Sequence, residues 1–347
     1  MVSLNVNISA CRYQVMVGVG GIGTGVFFSL NGNHTLGREE SRSGHFMDCR
    51  DYCKLHIITH YVQTLLGAEF VTLPIGRIGA DEAGKRLLYE MGAVGMDLRY
   101  VQPIPGSQTL SSFCFIYPDG SGGNLTMDNS ACDQLKPEDV TLAEDDFSRF
   151  QAQGIALAVP EVSLTARRKL LDLGTRYHFL RVAAFNSAEI LPAIEMEILT
   201  LTDLLALNQD EAAVVAGIEP DNVSPLSIVE ATLSKLQAIN PALQVTITAG
   251  KEGSWSWDGK SLSFLPAFPS RMVSTAGAGD AFLAGVITGL VADLPLPQAQ
   301  ELGTLVAALS VTSPNTINPE IDRRSLQSFS SEFSLTLSDP VKQLLQN

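Results

Sequence analysis

The sequence predicts an α/β protein with a mostly parallel central sheet, helices on both faces, and a small β lid. Three observations predict it. From Gly154 onward, apolar strand-like runs and helix-like runs alternate in regular succession, the pattern left by crossovers between parallel strands. Near the N-terminus, residues 13–19 (YQVMVGV) form an apolar run ending in glycines, as a buried strand does. Between these regions, residues 101–127 hold two β-rich runs, TLSSFCFIY and GGNLTM, joined through Pro118-Asp119-Gly120-Ser121-Gly122-Gly123. A hairpin inserted in an α/β pattern has the character of a lid. No internal repeat or low-complexity linker interrupts the chain. Residues 1–347 therefore read as one domain, with lid segments from about 20–50 and 105–130.

A hydrophobic content of 45% with 17% charged residues is ordinary for such a protein, and 347 residues suffice for a large core. The net charge of −14 argues against nucleic acid or an anionic membrane surface as partner. It leaves room for an anionic substrate at a local basic cluster. The five cysteines, at 11, 49, 53, 114 and 132, are scattered and lack zinc-site spacing. They read as reduced thiols. No basic segment followed by an apolar run opens the chain, and no stretch of about 18 apolar residues occurs. A cytoplasmic location without a membrane partner is expected.

The elements follow in order. After the first strand, Gly18-Val19-Gly20-Gly21-Ile22-Gly23 matches G-x-G-x-x-G. A dinucleotide site would need a helix next and an acidic residue about 20 positions on. Instead VFFSL and the turn signal Asn31-Gly32 follow, which reads as a strand and hairpin. The glycines, with Thr24, then read as a floor where a ligand or another backbone comes close. An NAD-dependent oxidoreductase remains the competing class resting on residues 18–23. Residues 33–54 are polar and irregular, with Arg38, Arg42, Arg50 and Lys54 among Glu39, Glu40, Asp48 and Asp51. Such a cluster is either the rim of a substrate pocket or a solvated loop with local ion pairs.

Residues 55–66 read as a buried helix closed by Gly67. His56 and His60, four apart without a third ligand nearby, read as core or capping residues. A strand at 70–73 and a glycine-rich turn at 76–84 lead to a helix at 85–91. Strands are then expected at 155–159, 180–185, 203–207 and 244–248, and helices at 163–173, 188–199, 209–216 and 224–239. A hairpin around 255–259, a short strand near 271–274, and helices at 281–290 and 298–312 complete the set.

Ligands of open α/β sheets sit at the C-terminal ends of strands, and three polar motifs fall there. Asn208-Gln209-Asp210-Glu211 follows one strand and Thr248-Ala249-Gly250-Lys251-Glu252-Gly253 another. An amide and an acid three apart at a helix start can hold a hydrated magnesium ion, and a threonine with two spaced glycines can wrap phosphates. The third motif is Ala276-Gly277-Ala278-Gly279-Asp280, before an apolar run rich in small residues. A glycine loop opening a helix presents unpaired N–H groups to an anion. Asp280 is either a helix cap or a base that deprotonates a hydroxyl beside a bound phosphate.

With NQDE, TAGKEG and STAGAGD in this order, and Gly76 to Gly84 fitting G-x-G-x-D-x-x-G, the chain resembles the ribokinase-like sugar kinases of the PfkB family from about residue 13 to 325. The resemblance implies an ATP- and Mg²⁺-dependent transfer of the γ-phosphoryl group to a hydroxyl of a small sugar, sugar derivative or nucleoside. It makes Asp280 the base and the amides of Gly277, Ala278 and Gly279 the anion hole. Asn208 and Glu211 would position magnesium through water, and Thr248, Gly250, Gly253 and Lys251 would meet ATP. Thr304 and the turn ending at Asn315 match the adenine region, with a helix-interior bond as the alternative for Thr304.

The likeness stops at the acceptor side. The family's Asp after the first strand is replaced by Gly23-Thr24-Gly25, and its Gly-Gly-x-x-x-Asn element by residues 51–56. Ser274 stands where some members carry an Asp linked to potassium, so activation by a monovalent cation is not expected. The acceptor is expected among Gly21, Thr24, Asn33, Arg42, Asp51, Lys54 and His56. The basic side chains there admit one that already bears a phosphate or carboxylate. A homodimer through the β lid is the expected assembly. A catalytically silent nucleotide-binding protein of the same fold is the remaining alternative.

Overall fold

A computed structural model describes residues 1–119, 122–221 and 223–346. Among these residues the spine is a nine-stranded sheet in which Val15–Val19 is the third strand from one edge. That strand pairs in parallel with Val71–Gly79 on one side and Gly154–Ala158 on the other. Leu180–Ala184, Leu204–Asn208 and Gln244–Thr248 continue the parallel order. Ser254–Trp257 and Leu262–Leu265 close the edge as an antiparallel hairpin. Val15–Val19 and Gly154–Ala158 are buried along their whole length, which explains why they are continuous apolar runs rather than alternating ones.

Two apolar cores, one on each face, hold the helices. Lys54–Leu66, Ala278–Val291 and Leu296–Ser310 cover one face; Leu164–Arg176, Gln209–Ala216 and Pro225–Ile239 cover the other. The small residues of Ala278–Val291 serve close helix packing. A Cβ on Gly285 would lie 2.6 Å from the Gly303 Cα.

A second sheet stands beside the first. Gly23–Leu30 is flanked by Leu110–Ile116 in parallel and by Gly44–Phe46 and Asp51–Tyr52 antiparallel; Gly122–Thr126 pairs with Leu110–Ile116. The turn residues Gly120 and Ser121 lie outside the described residues. By strand register Val26, Phe28, Phe46, Phe113, Phe115 and Leu125 share one face of this sheet. Phe46 and Leu125 are mostly exposed.

Several sequence expectations need correction. No tight hairpin forms at Asn31-Gly32; a long loop runs to Gly44–Phe46, held by its own side chains. The glycine-rich segment at 76–84 divides. Its first half finishes the strand Val71–Gly79, and Asp81 caps the helix Glu82–Val94 by accepting from the Gly84 N–H at 2.8 Å, because a short carboxylate at that place satisfies an orphan N–H. Residues 271–274 form no strand; the Val273 and Ser274 N–H groups both bond the Val311 carbonyl instead. The expected helix at 188–199 is a short helix Ile190–Glu195 followed by a 3₁₀ turn Ile198–Leu201. Among the described residues no helix is long and apolar enough to cross a membrane.

Candidate active site

The loop before Ala278–Val291 begins with Gly277 in the left-handed region, at φ 79° and ψ −2°, where a residue with a Cβ is strained. This turn reverses the chain so that the helix N-terminus opens toward solvent. Asp280 lies in the first turn and caps nothing, which removes the capping alternative. Its carboxylate accepts from the Lys54 ammonium at 3.2 Å. Ala278 departs from expectation, because its N–H donates to the Thr275 carbonyl at 3.2 Å. The Gly277 and Gly279 N–H groups have no protein acceptor among the described residues. A Cβ on Gly279 would meet nothing within 4 Å. Two open amides at a helix N-terminus beside a carboxylate make a place for an anion and a base to act on its neighbour.

Lys54 opens the helix Lys54–Leu66, which carries its charge to Asp280. The negative charge of Asp280 foremost, then of Glu211 and Glu161, holds the Lys54 ammonium above its ordinary range. Glu161 was not singled out from the sequence. It follows the strand Gly154–Ala158 by three residues, so the strand-end rule that found Asn208 and Thr248 also points to it. Its backbone is left-handed at φ 75°. Burial pushes its carboxyl up to about 7, against the pull of Cys53 and Lys54. Its Oε2 is enclosed without a hydrogen-bond partner among the described residues. Gly21 is what admits it, since a Cβ there would lie 2.4 Å from the Glu161 Cβ.

Asp51 enters by a second notch. Its Oδ2 accepts from the Ser112 hydroxyl at 2.6 Å and from the Cys114 thiol at 3.5 Å, reaching across the strand Gly23–Leu30 at Gly25. A Cβ on Gly25 would lie 2.1 Å from the Ser112 Oγ and 2.5 Å from the Asp51 Oδ2. Burial raises the Asp51 carboxyl, while Ser112 and Cys114 lower it and the charge of Asp280 raises it further. Gly21, one of the glycines read as a floor, and Gly25 just beyond them thus make room for two carboxylates from elsewhere in the chain.

At the end of Leu204–Asn208, Asn208 and Glu211 form a reciprocal cap. The Asn208 Oδ1 accepts from the Glu211 N–H, and the Glu211 Oε2 accepts from the Asn208 N–H, both at 2.8 Å. This leaves Glu211 Oε1 without a protein donor among the described residues. Burial raises the Glu211 carboxyl and Lys54 lowers it, so it belongs to the same charge cluster. Thr248 ends its strand, and Gly250 and Gly253 take φ 54° and 110° in a tight turn that presents Lys251 to solvent.

Several predicted contacts are spent elsewhere. The Thr304 hydroxyl donates to the Gln300 carbonyl of its own helix, so the helix-interior alternative holds. The Asn315 Oδ1 accepts from the Arg50 N–H at 2.8 Å and so anchors the 48–52 segment. Arg42 bonds Glu40 and the His34 carbonyl, and the Asn33 Oδ1 accepts from the Asp119 N–H; both brace the lid loop. Thr24 donates to the Asp51 carbonyl and accepts from Arg86. His56 is 1% exposed and burial lowers its proton affinity to about 3; for His60 the same cause gives about 4. With Tyr52, Arg50, Glu90 and Ile317 they line a separate cavity of about 510 Å³.

Comparison with known proteins bears on the family and the fold. A model described as pfkB family carbohydrate kinase matches residues 64–323. The uncharacterized sugar kinase YegV of Escherichia coli (strain K12) is 34% identical over 120 residues, which span 35% of this chain and 36% of that protein. The ribokinase of Bacillus subtilis (strain 168) is 24% identical over 271 residues, 72% of this chain and 85% of the relative. Among solved structures, an Arabidopsis thaliana ribokinase complexed with ribose and ATP superposes with a TM-score of 0.71 at 17% identity, covering 93% of this chain and all of the other. That likeness gives the fold as ribokinase-like.

Proposed function

The chain belongs to the pfkB family of carbohydrate kinases, and on that premise we propose that it moves the γ-phosphoryl group of ATP to a hydroxyl of a small sugar, sugar derivative or nucleoside, with Asp280 as general base. One observation carries the reading. Asp280 is free of any capping duty, sits in the first turn of a helix, and lies beside two N–H groups that no protein atom among the described residues uses. The amides of Gly277 and Gly279, with the positive end of the helix, receive the transferring oxygens. Asp280 takes the acceptor's proton as the oxygen attacks in line. Lys54 keeps Asp280 oriented and supplies a positive charge where the phosphoryl group passes.

The residues present suit magnesium carried with the nucleotide. Glu211 Oε1 is a carboxylate oxygen without a protein donor, Asn208 fixes its side chain, and no three His, Cys, Asp or Glu converge as a direct cage among the described residues. An ion held through water fits that donor set; it would supply screening of the phosphate charge. Thr248, Gly250, Gly253 and Lys251 are assigned to the nucleotide.

An acceptor bearing a phosphate or carboxylate loses its support, because Arg42 and His56 do not offer free charge and Lys54 is paired with Asp280. The NAD-dependent oxidoreductase reading falls with Gly23–Leu30, a strand where that motif needs a helix. The apolar outer face of the lid supports pairing of two copies through it, which Phe46→Ser should weaken in a solution-mass measurement.

The test of the kinase reading is Asp280→Asn. Turnover in an ADP-release assay with an accepted alcohol should fall by about 10²–10⁴-fold, with ATP affinity within a few-fold of wild type. A variant within about tenfold of wild type would remove Asp280 from the chemistry. Binding of ATP without transfer to any alcohol by the wild type would favour the silent protein.

A further inference from the structure

We infer that the acceptor carries an amino group, cationic at neutral pH, that seats between Asp51 and Glu161. The inference rests on the kinase reading above and names the acceptor class of that same site.

Charge balance at the site is the starting point. Asp51, Glu161, Glu211 and Asp280 act on one another or on Lys54 electrostatically, and Lys54 is the cation they share. Asp280 holds Lys54 directly, and Glu211 is assigned to the magnesium side. Asp51 and Glu161 are left on the acceptor side. Asp51 is met by a hydroxyl and a thiol, both neutral. Glu161 is met by the Cys53 thiol and keeps one enclosed oxygen without a donor among the described residues. Of the other cations that the sequence offered, Arg42 is committed to Glu40 and Arg50 to Glu90, and Arg38 is exposed on the lid loop.

The chain maintains this arrangement against local strain. Glu161 takes a left-handed backbone, and Gly21 and Gly25 are cut away where any side chain would displace the two carboxylates. Strain of that kind persists where function holds it. A neutral hydroxyl would donate a hydrogen bond to either group but would do nothing to hold Glu161 ionised, since burial favours its protonated form. An acceptor phosphate would add a like charge. An ammonium satisfies both the missing donors and the charge, as a desolvated ion pair requires.

The test uses sugars matched in every position but one: 2-amino-2-deoxy and 3-amino-3-deoxy hexoses and 1-amino-1-deoxyketoses, against their hydroxyl counterparts, their N-acetyl forms and the 6-phosphates. At least one amino sugar should show kcat/KM about 10–100-fold above its hydroxyl counterpart, the range for a charge-assisted hydrogen bond. The preference should shrink toward unity in Glu161→Gln or Asp51→Asn, with ATP affinity and the circular dichroism spectrum kept. A hydroxyl, N-acetyl or phosphorylated sugar used as well as the amino form overturns the inference and leaves the kinase reading intact. Calorimetry with a non-hydrolysable ATP analogue separates the two claims. Preferential binding of an amino sugar that is never phosphorylated supports the inference and sinks the kinase reading. No preference in binding sinks the inference.

Discussion

Gly277 and Gly279 lie two residues apart in the same loop, yet alanine should act on them by opposite routes. At Gly277 the backbone is left-handed, which costs a residue with a Cβ about 1–2 kcal/mol. The new Cβ would also lie 2.6 Å from the Thr316 carbonyl oxygen, 0.8 Å short of the 3.4 Å at which ordinary contact begins. Thr316 cannot give way easily: its N–H bonds the Arg50 carbonyl at 3.1 Å and its hydroxyl accepts from the Tyr52 N–H at 3.0 Å. The loop must move instead, taking the amide hole with it. A displacement near 1 Å at a reacting centre costs about 10²-fold in rate. Gly277→Ala should therefore lose about 10–100-fold in kcat and about 1–3 kcal/mol in stability.

At Gly279 a Cβ meets nothing within 4 Å and φ is not positive. Gly279→Ala should keep wild-type stability within about 0.5 kcal/mol; any loss of turnover there marks the open space as the ligand's. Steady-state ADP release and chemical denaturation on both variants decide the matter. Wild-type turnover in Gly277→Ala, or a destabilised Gly279→Ala, would refute the reasoning.

Three further outcomes follow from the same site. Gly25→Ala should push Asp51 from Ser112, raising the acceptor KM by about tenfold while the ATP KM stays unchanged; equal changes in both would mean a general collapse. Glu161 in the native protein keeps its proton up to about 7, while the unfolded chain loses it near 4.5. Wild-type stability should therefore fall as pH rises from about 4.5 to about 7, by up to about 2 kcal/mol for a partly exposed side chain. Denaturation at pH 5 and 7.5 should show that slope reduced in Glu161→Gln, and an identical slope would show that Glu161 ionises normally. Glu211→Gln should raise the magnesium concentration needed for half-maximal rate, and an unchanged titration would remove Glu211 from the metal's surroundings.

Much of the scaffold was legible because its causes are local. Strands buried on both faces are continuous apolar runs, crossover helices repeat at regular intervals, and a topology of this kind puts strand ends on one edge. Asn208, Thr248 and the Asp280 loop could be found that way. Residues 31–54 were less legible, since a polar segment rich in both charges looks the same whether it lines a pocket or braces itself. Arg42 and Asn33 brace the lid loop, while Asp51 and Lys54 reach the charge cluster.

Local patterning by itself determined the class of fold, most of the succession of strands and helices along the chain and the glycine loop that opens a helix at Asp280, because periodicity and backbone freedom are properties of neighbouring residues. Tertiary structure alone decided which charges meet. Lys54 and Asp280 are 226 positions apart, and Glu161 and Asp51 fit only where Gly21 and Gly25 leave room on another segment of the chain. Coulomb forces and steric contact depend on distance in space. Only the packing of helices and sheets sets that distance, and it is this packing that brings these charges together.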